Sequence, residues 1–171
     1  MRVGATKFLG HPNDLDTLAN VADGPPYAPA GIRVLPSWLL GRAAAYGHRL
    51  VAQALAREGM RMMHHAVLAT VAELGPVSQA GLGRTLRVDP KDMASIVHDL
   101  DEQGLIVRMP DPVDRRKNAV SLTDAGARLL RRTEKLGEEA NAELTAALSD
   151  AEREQLVALL ARIVARAGEP A

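Results

Sequence analysis

Residues 89–123 read DPKDMASIVHDLDEQGLIVRMPDPVDRRKNAVSLT. Their first part marks a helix at both ends. Asp89 is an N-cap, Pro90 takes the first helical position, where its missing N–H is no loss, and Asp92 stands at the third. Met93, Ile96, Val97 and Leu100 recur at helical spacing as one apolar stripe, and Gly104 closes the helix. Leu105 to Met109 then alternates as a strand, with Leu105 and Val107 on one face. Asp111 to Asn118 is polar and turn-rich, and Val120 and Leu122 share one face of a return strand. The two strands predict a β-hairpin whose long tip carries Arg115, Arg116 and Lys117.

Upstream, residues 61–74, RMMHHAVLATVAEL, are apolar nearly all round and predict a central helix, stopped by Gly75 and Pro76. Ser78 caps a short helix from Gln79 to Leu86 with Leu82 and Leu86 inward. Gly81 and Gly83 lower the propensity of that helix, so tertiary packing must hold it. Helix, short capped helix, turn, capped helix, strand, charged turn and strand is the order of a winged helix-turn-helix. A DNA major groove admits one helix, a preceding helix braces it across the backbone, and a neighbouring hairpin reaches the minor groove. With Met93, Ile96, Val97 and Leu100 buried, the opposite face of the second helix presents Lys91, Ser95 and His98, with Ala94 at its margin. These are a phosphate or guanine donor, a hydroxyl and an imidazole. Taken alone they would be a solvated helix face; the adjoining hairpin turns the reading towards DNA. Ser78 and Gln79 at the start of the bracing helix, with Arg115, Arg116 and Lys117 at the hairpin tip, complete the candidate DNA-binding set.

The flanks are helical. From Pro36, Leu39, Ala43, Tyr46, Leu50 and Ala54 form one apolar stripe, and Gly59 can end that helix. Thr123 caps a helix carrying Leu129, Leu130, Leu136, Ala140, Leu144 and Leu148. Ser149 to Glu152 is a capping box opening the last helix, where Leu156, Leu159, Leu160, Ile163 and Val164 repeat at three and four. That is more apolar surface than one terminal helix can bury on its own domain, which predicts a dimer. Residues 1–35 are interrupted by Gly4, Gly10, Pro12, Gly24, Pro25, Pro26, Pro29 and Gly31 and read as a loop-rich extension with one short helix from Asn13 to Ala22. The expected division is therefore an extension (1–35), a helical dimerisation layer (36–65 and 124–167) and a winged helix-turn-helix (66–123). The fold class is mainly α (α+β).

Composition narrows the function. The 171 residues are 47% apolar and 25% charged, enough for a packed core and against global disorder. No apolar run is long enough for a membrane helix, and the N-terminus has no apolar stretch of the secretory kind, so a cytoplasmic protein with no membrane partner is expected. The absence of cysteine removes disulfides, thiolate catalysis and Cys-ligated zinc together. Only 2% of residues are aromatic, which argues against base stacking on single strands. Net charge is zero but unevenly spread. Residues 1–75 carry seven Lys/Arg against five Asp/Glu, residues 76–132 ten against eight, and residues 133–171 four against eight.

Residues 65–126 resemble MarR-type transcription regulators. The likeness is carried by HAVLATVAELGPVSQAGLGRTLRVDPKDMASIVHDLDEQGLI and VRMPDPVDRRKNAVSLTDAG, and most specifically by Asp111 to Lys117 followed by Val120 to Thr123 and Gly126. It extends over roughly residues 36–167 and leaves residues 1–35 unmatched. The resemblance implies a homodimer on a pseudo-palindromic double-stranded operator, with interlocking N- and C-terminal helices. It implies a repressor whose DNA affinity falls when a small aromatic or anionic ligand binds between the layers. By position it implies that Arg116 is the wing-tip arginine entering the minor groove, that Asp114 orients it through a charge-assisted pair, and that Asp111 supports the wing. Gly81 and Gly83 depart from the family pattern, where stronger helix formers are usual.

Several residues keep two readings. Trp38 and Tyr46 are either helix core and dimer contacts or walls of a ligand pocket, and Met62, Met63 and His65 either pack or line that pocket. His64 and His65 are adjacent, about 100° apart on a helix, which disfavours joint ligation of one ion. With His48 and His98 they lack a clear metal-ligand spacing, so neither a metal nor a cofactor is expected. No phosphate-cradling glycine motif, HExxH or G-x-S-x-G is present, so no catalytic residue is assigned and an enzyme is not expected. The alternative function is a winged helix used as a protein-interaction module, against which the Arg115-Arg116-Lys117 run stands.

Overall fold

The computed structural model describes residues 29–110 and 118–168. A one-turn helix α1 (Ala30–Arg33) leads into α2 (Pro36–Ala56), α3 (Met62–Leu74), β1 (Val77–Ser78), α4 (Gln79–Leu86) and α5 (Pro90–Glu102). β2 (Ile106–Pro110), β3 (Asn118–Leu122), α6 (Asp124–Leu144) and α7 (Asp150–Gly168) follow. This is the expected mainly α, winged helix-turn-helix order. The helix from Asn13 to Ala22 lies outside the described residues.

The ends of the helices are set by the side chains that the sequence points to. Ser78 Oγ accepts from the Gly81 N–H at 3.1 Å, Asp89 Oδ1 from Lys91 at 2.8 Å, and Thr123 Oγ1 from Gly126 at 3.0 Å. Each satisfies a backbone donor that the first helical turn leaves unpaired. At α7 the cap is reciprocal: the Ser149 N–H donates to Glu152 Oε2 at 2.8 Å and the Glu152 N–H donates to Ser149 Oγ at 3.4 Å. Bonds from the Ser149 hydroxyl and backbone hold the Glu152 carboxyl below its ordinary pKa.

α3 is the centre of the domain. Its Val67, Leu68 and Val71 join Leu55, Leu82, Met93, Val97, Leu100, Ile106, Val120 and Leu130 in one buried core, contributed by α2, α4, α5, α6 and the hairpin. Removing that apolar surface from water is the main force holding the helix pair on the hairpin.

The sheet is three-stranded and antiparallel in the order β1-β3-β2. The two-residue β1 is too short to show a period and was not expected. It pairs Val77 with Val120 and Ser78 with Ala119, which ties the entrance of α4 to the hairpin stem. The hairpin faces correct the reading of Leu105 and Val107 as one side of a strand. Leu105 lies before β2, its N–H bonded back to the Leu100 carbonyl after Gly104 turns the chain at φ +66°. The strand begins at Ile106, opposite Leu122, and Ile106 is the core residue. Val107 and Met109 point away and remain 38% and 53% exposed.

The stripe on α2 is also corrected. Ala45, Gly47, Ala54 and Leu55 are its buried residues, while Leu39 is 50% and Tyr46 38% exposed. α2 packs along α6 with Gly47 facing Leu144, so small residues bring the two helix backbones together. Gly126 has a comparable role at the opposite end of α6. A Cβ there would collide with the Leu105 carbonyl, and the Thr123 N–H already donates to that carbonyl at 3.1 Å.

Among the described residues of α7 none is fully buried. Val157, Ile163 and Val164 stand 62%, 54% and 69% exposed. No helix among the described residues is long and apolar enough to cross a membrane.

Candidate nucleic-acid interface

α5 buries Met93, Val97 and Leu100 and presents Lys91, Ser95 and His98 together on its exposed side. The run from Lys91 to His98 spans roughly 10 Å of helix axis, the rise of about three base pairs. His98 Nε2 lies 3.5 Å from Glu102 Oε1, one turn further on. Ser78 uses its hydroxyl oxygen to cap α4, and a hydroxyl that accepts still has its proton to donate. Gln79, half-buried, opens the same helix. Between α4 and α5 the chain turns through Arg87, at φ +53° in the left-handed region, and buries Val88, whose N–H donates to the Gly83 carbonyl at 2.9 Å. A Cβ on Gly83 would stand 3.3 Å from the Val88 carbonyl, so the glycine lets the turn fold tightly onto α4.

The stem of the hairpin is registered from Ile106 opposite Leu122 to Pro110 opposite Asn118. Asp111, Asp114, Arg115, Arg116 and Lys117 belong to the segment between those ends and lie outside the described residues. Arg108 on the stem pairs with Asp101 of α5 at 3.2 Å, linking the hairpin to the end of that helix.

One cluster was not legible in the sequence. Behind the exposed face of α5, Asp99 Oδ2 receives Arg61 Nη2 at 2.5 Å and lies 3.2 Å from His64 Nε2. Arg61 Nη2 is also 2.6 Å from His64 Nε2. Burial lowers the pKa of His64, and the neighbouring Arg61 charge lowers it further against the pull of Asp99. The His64 imidazole and the Arg61 guanidinium hold the Asp99 carboxyl below its ordinary pKa. His64 and Asp99 are 35 residues apart, with no local spacing to announce the pair.

The adjacent His65 turns the other way. Its Nδ1 lies 3.0 Å from Thr133 Oγ1, and the fully buried Thr133 hydroxyl is within 2.9 Å of the Leu130 carbonyl in α6. Burial lowers the pKa of His65 as well. Met62 and Met63 are half-buried at the margin of the core. Trp38 and Tyr46 stand eight residues apart on α2, roughly 12 Å along its axis, with Arg42 and Arg49 over their rings at 5.8 and 5.3 Å. The groove of about 350 Å³ between α2 and α6 is lined by Leu50, Gln53, Ala54, Arg57, Leu136, Glu139, Ala140 and Glu143. It includes none of Trp38, Tyr46, Met62, Met63 and His65, and Glu139 and Glu143 against Arg57 leave its lining net acidic.

Residues 58–117 match the sequence profile of the MarR family. A probable transcriptional regulator of Pseudomonas aeruginosa, of known crystal structure, is 34% identical; the match covers 76% of this chain and 97% of that one, at a TM-score of 0.67. The chain belongs to the MarR family. A second relative, the putative transcriptional regulatory protein for the hcr operon of Thauera aromatica, is 35% identical over 106 residues. That match takes in 62% of this MarR-family chain and spans 64% of the relative's length. CouR of Rhodococcus jostii RHA1, crystallised with p-coumaroyl-CoA, has the same fold at a TM-score of 0.68 and 28% identity, over 79% of this chain and 95% of CouR.

Proposed function

We propose that this MarR-family chain is a sequence-specific, double-stranded DNA-binding transcription regulator of the repressor type, working as a homodimer in the cytoplasm and catalysing no reaction. The observation that carries this is the α5 face. Lys91, Ser95 and His98 share one exposed side of a helix that is braced by a capped α4 and flanked by a hairpin stem. Ser78 and Gln79 contribute at the start of α4, and Arg115, Arg116 and Lys117 at the wing, with Asp114 orienting Arg116 and Asp111 supporting the turn.

Residues 66–123 read the operator, and residues 36–65 with 124–167 form the dimer layer. The exposed apolar residues of α7 and of the first half of α2 support that division. Two copies related by a two-fold axis present two recognition helices to half-sites of a pseudo-palindrome. A small aromatic or anionic ligand between the layers, on the side of His65, Met62 and Met63 with Trp38 and Tyr46 as walls, weakens DNA binding. That CouR was crystallised with a coenzyme A thioester of an aromatic acid supports this reading.

The test is to select duplexes from a random pool with the purified protein, then to measure Arg116→Ala on the selected duplex by mobility shift at two salt concentrations. Affinity should fall strongly with the fold intact. Wild-type binding by that variant at both salts would transfer the wing to a protein-interaction module.

A further inference from the structure

Asp99 sits on α5 between the exposed His98 and the buried Leu100, on the flank where the recognition helix meets α3. We propose that Asp99 is a positioning residue: Arg61 bridges it to His64 so that α5 presents Lys91, Ser95 and His98 at one fixed roll, and proton uptake at His64 displaces Arg61, opens this clamp and weakens DNA binding. The inference rests on the DNA-binding reading of α5.

The surroundings favour a neutral His64 in the clamped state, because burial and the Arg61 charge outweigh the opposing pull of Asp99, 3.2 Å from Nε2. A guanidinium has no acceptor and keeps its proton, so a ring nitrogen 2.6 Å from Arg61 Nη2 must offer it a lone pair. Arg61 Nη2 has two N–H bonds, one directed at His64 Nε2 and one at Asp99 Oδ2. A proton on Nε2 would put two cations in contact. The His64 side chain is only 5% exposed, its Nδ1 is buried without a partner among the described residues, and it lies in the first turn of α3, where the helix dipole is positive. All of these oppose charge on the ring, in line with its lowered pKa.

Any opening that admits water to His64 restores its ordinary proton affinity, so acid favours the opened arrangement. Arg61, with its side chain 69% exposed, can swing into solvent when this happens. Several other titratable groups on the surrounding elements are engaged elsewhere. His65 faces Thr133 and Glu134 on α6, Glu58 faces Arg132, Asp101 faces Arg108, and His98 faces Glu102.

The sign of the pH effect makes the test decisive. Added positive charge on the DNA-facing side would tighten binding to phosphates. The clamp predicts the reverse. With this chain as a dimer and a duplex selected from a random pool, wild-type affinity should weaken between pH 7.5 and 5.5, by up to about tenfold per pH unit for each His64 coupled, hence up to about a hundredfold for the two of a dimer. His64→Gln keeps an acceptor for Arg61 and does not titrate. Whatever its absolute affinity, its profile should lose the acid weakening. Asp99→Asn should weaken binding several-fold at pH 7.5, and Arg61→Lys less than Arg61→Ala, with circular dichroism confirming the fold. Identical pH profiles for wild type and His64→Gln, or wild-type affinity in Asp99→Asn, would overturn the clamp. A pool that yields no duplex would sink the DNA reading instead. The clamp is then read in the free protein by NMR, where α5 amide shifts should move in step with the His64 ring and where a motionless α5 refutes it.

Discussion

Ile163 offers the sharpest measure of the dimer layer. It is 54% exposed on a helix none of whose described residues is fully buried. Completing its burial is worth about half of the ~1.5–3 kcal/mol for a fully covered aliphatic side chain, or about 1 kcal/mol. A two-fold interface counts every substitution twice, and truncation also leaves an unfilled space against the partner. Ile163→Ala should therefore cost the dimer about 2–3 kcal/mol, roughly a 30- to 150-fold rise in its dissociation constant. Ile163→Asp would add the cost of burying a charge and should give monomers at micromolar concentration. Sedimentation equilibrium over a concentration series measures the constant, with circular dichroism to show that helices remain. An unchanged constant in a folded Ile163→Ala protein would mean that α7 does not form the interface, and the argument from its exposed face would fail.

Four further outcomes follow from the same structure. Asp114→Ala should weaken operator binding less than Arg116→Ala, and the double variant should be no worse than Arg116→Ala alone, because orientation matters only while the arginine is present; a mobility-shift cycle checks this. The Ser95→Ala, His98→Ala pair should alter the selected sequence, at about 1–3 kcal/mol of base discrimination for a good contact, and an unchanged selection would remove α5 from base readout. Gly126→Ala pushes a methyl into the Leu105 carbonyl and should cost about 3 kcal/mol, lowering the melting temperature by about 6–12 °C in a thermal scan. The pKa values of His64 and His65 are both lowered in the folded state. The folded chain thus binds fewer protons than the unfolded one, and the stability from these sites is complete above pH 6.5 and lost as pH falls through the folded values. Urea midpoints measured from pH 7.5 to 5 should decline accordingly, and less so in a His64→Gln variant.

What was legible in the chain was local. Asp89-Pro90, Ser78, Thr123 and the Ser149–Glu152 box announced where helices begin because a cap is satisfied within three residues of itself. The stripe of Met93, Val97 and Leu100 told which side of α5 is buried, and by difference that Lys91, Ser95 and His98 are exposed, because helical period alone decides which side chains share a face. The identity and order of those elements already implied a winged helix-turn-helix.

Other features were decided by distant parts of the chain. The period counted from Leu105 misassigned the hairpin face, since pairing with β3 starts the strand at Ile106. The stripe from Leu39 to Ala54 held at Ala54 but missed Ala45, Gly47 and Leu55, which packing buries while Leu39 and Tyr46 stay exposed. β1 exists only because Val77 and Ser78 meet Val120 and Ala119. The Arg61–His64–Asp99 cluster needed α3 and α5 to cross before any of its charges could meet. Caps and periods are energies between neighbours in sequence, and the residues themselves contain them. Strand register, the choice between two apolar faces of one helix, and an ion pair across 38 residues are energies between neighbours in space, which exist only once the core has brought them together.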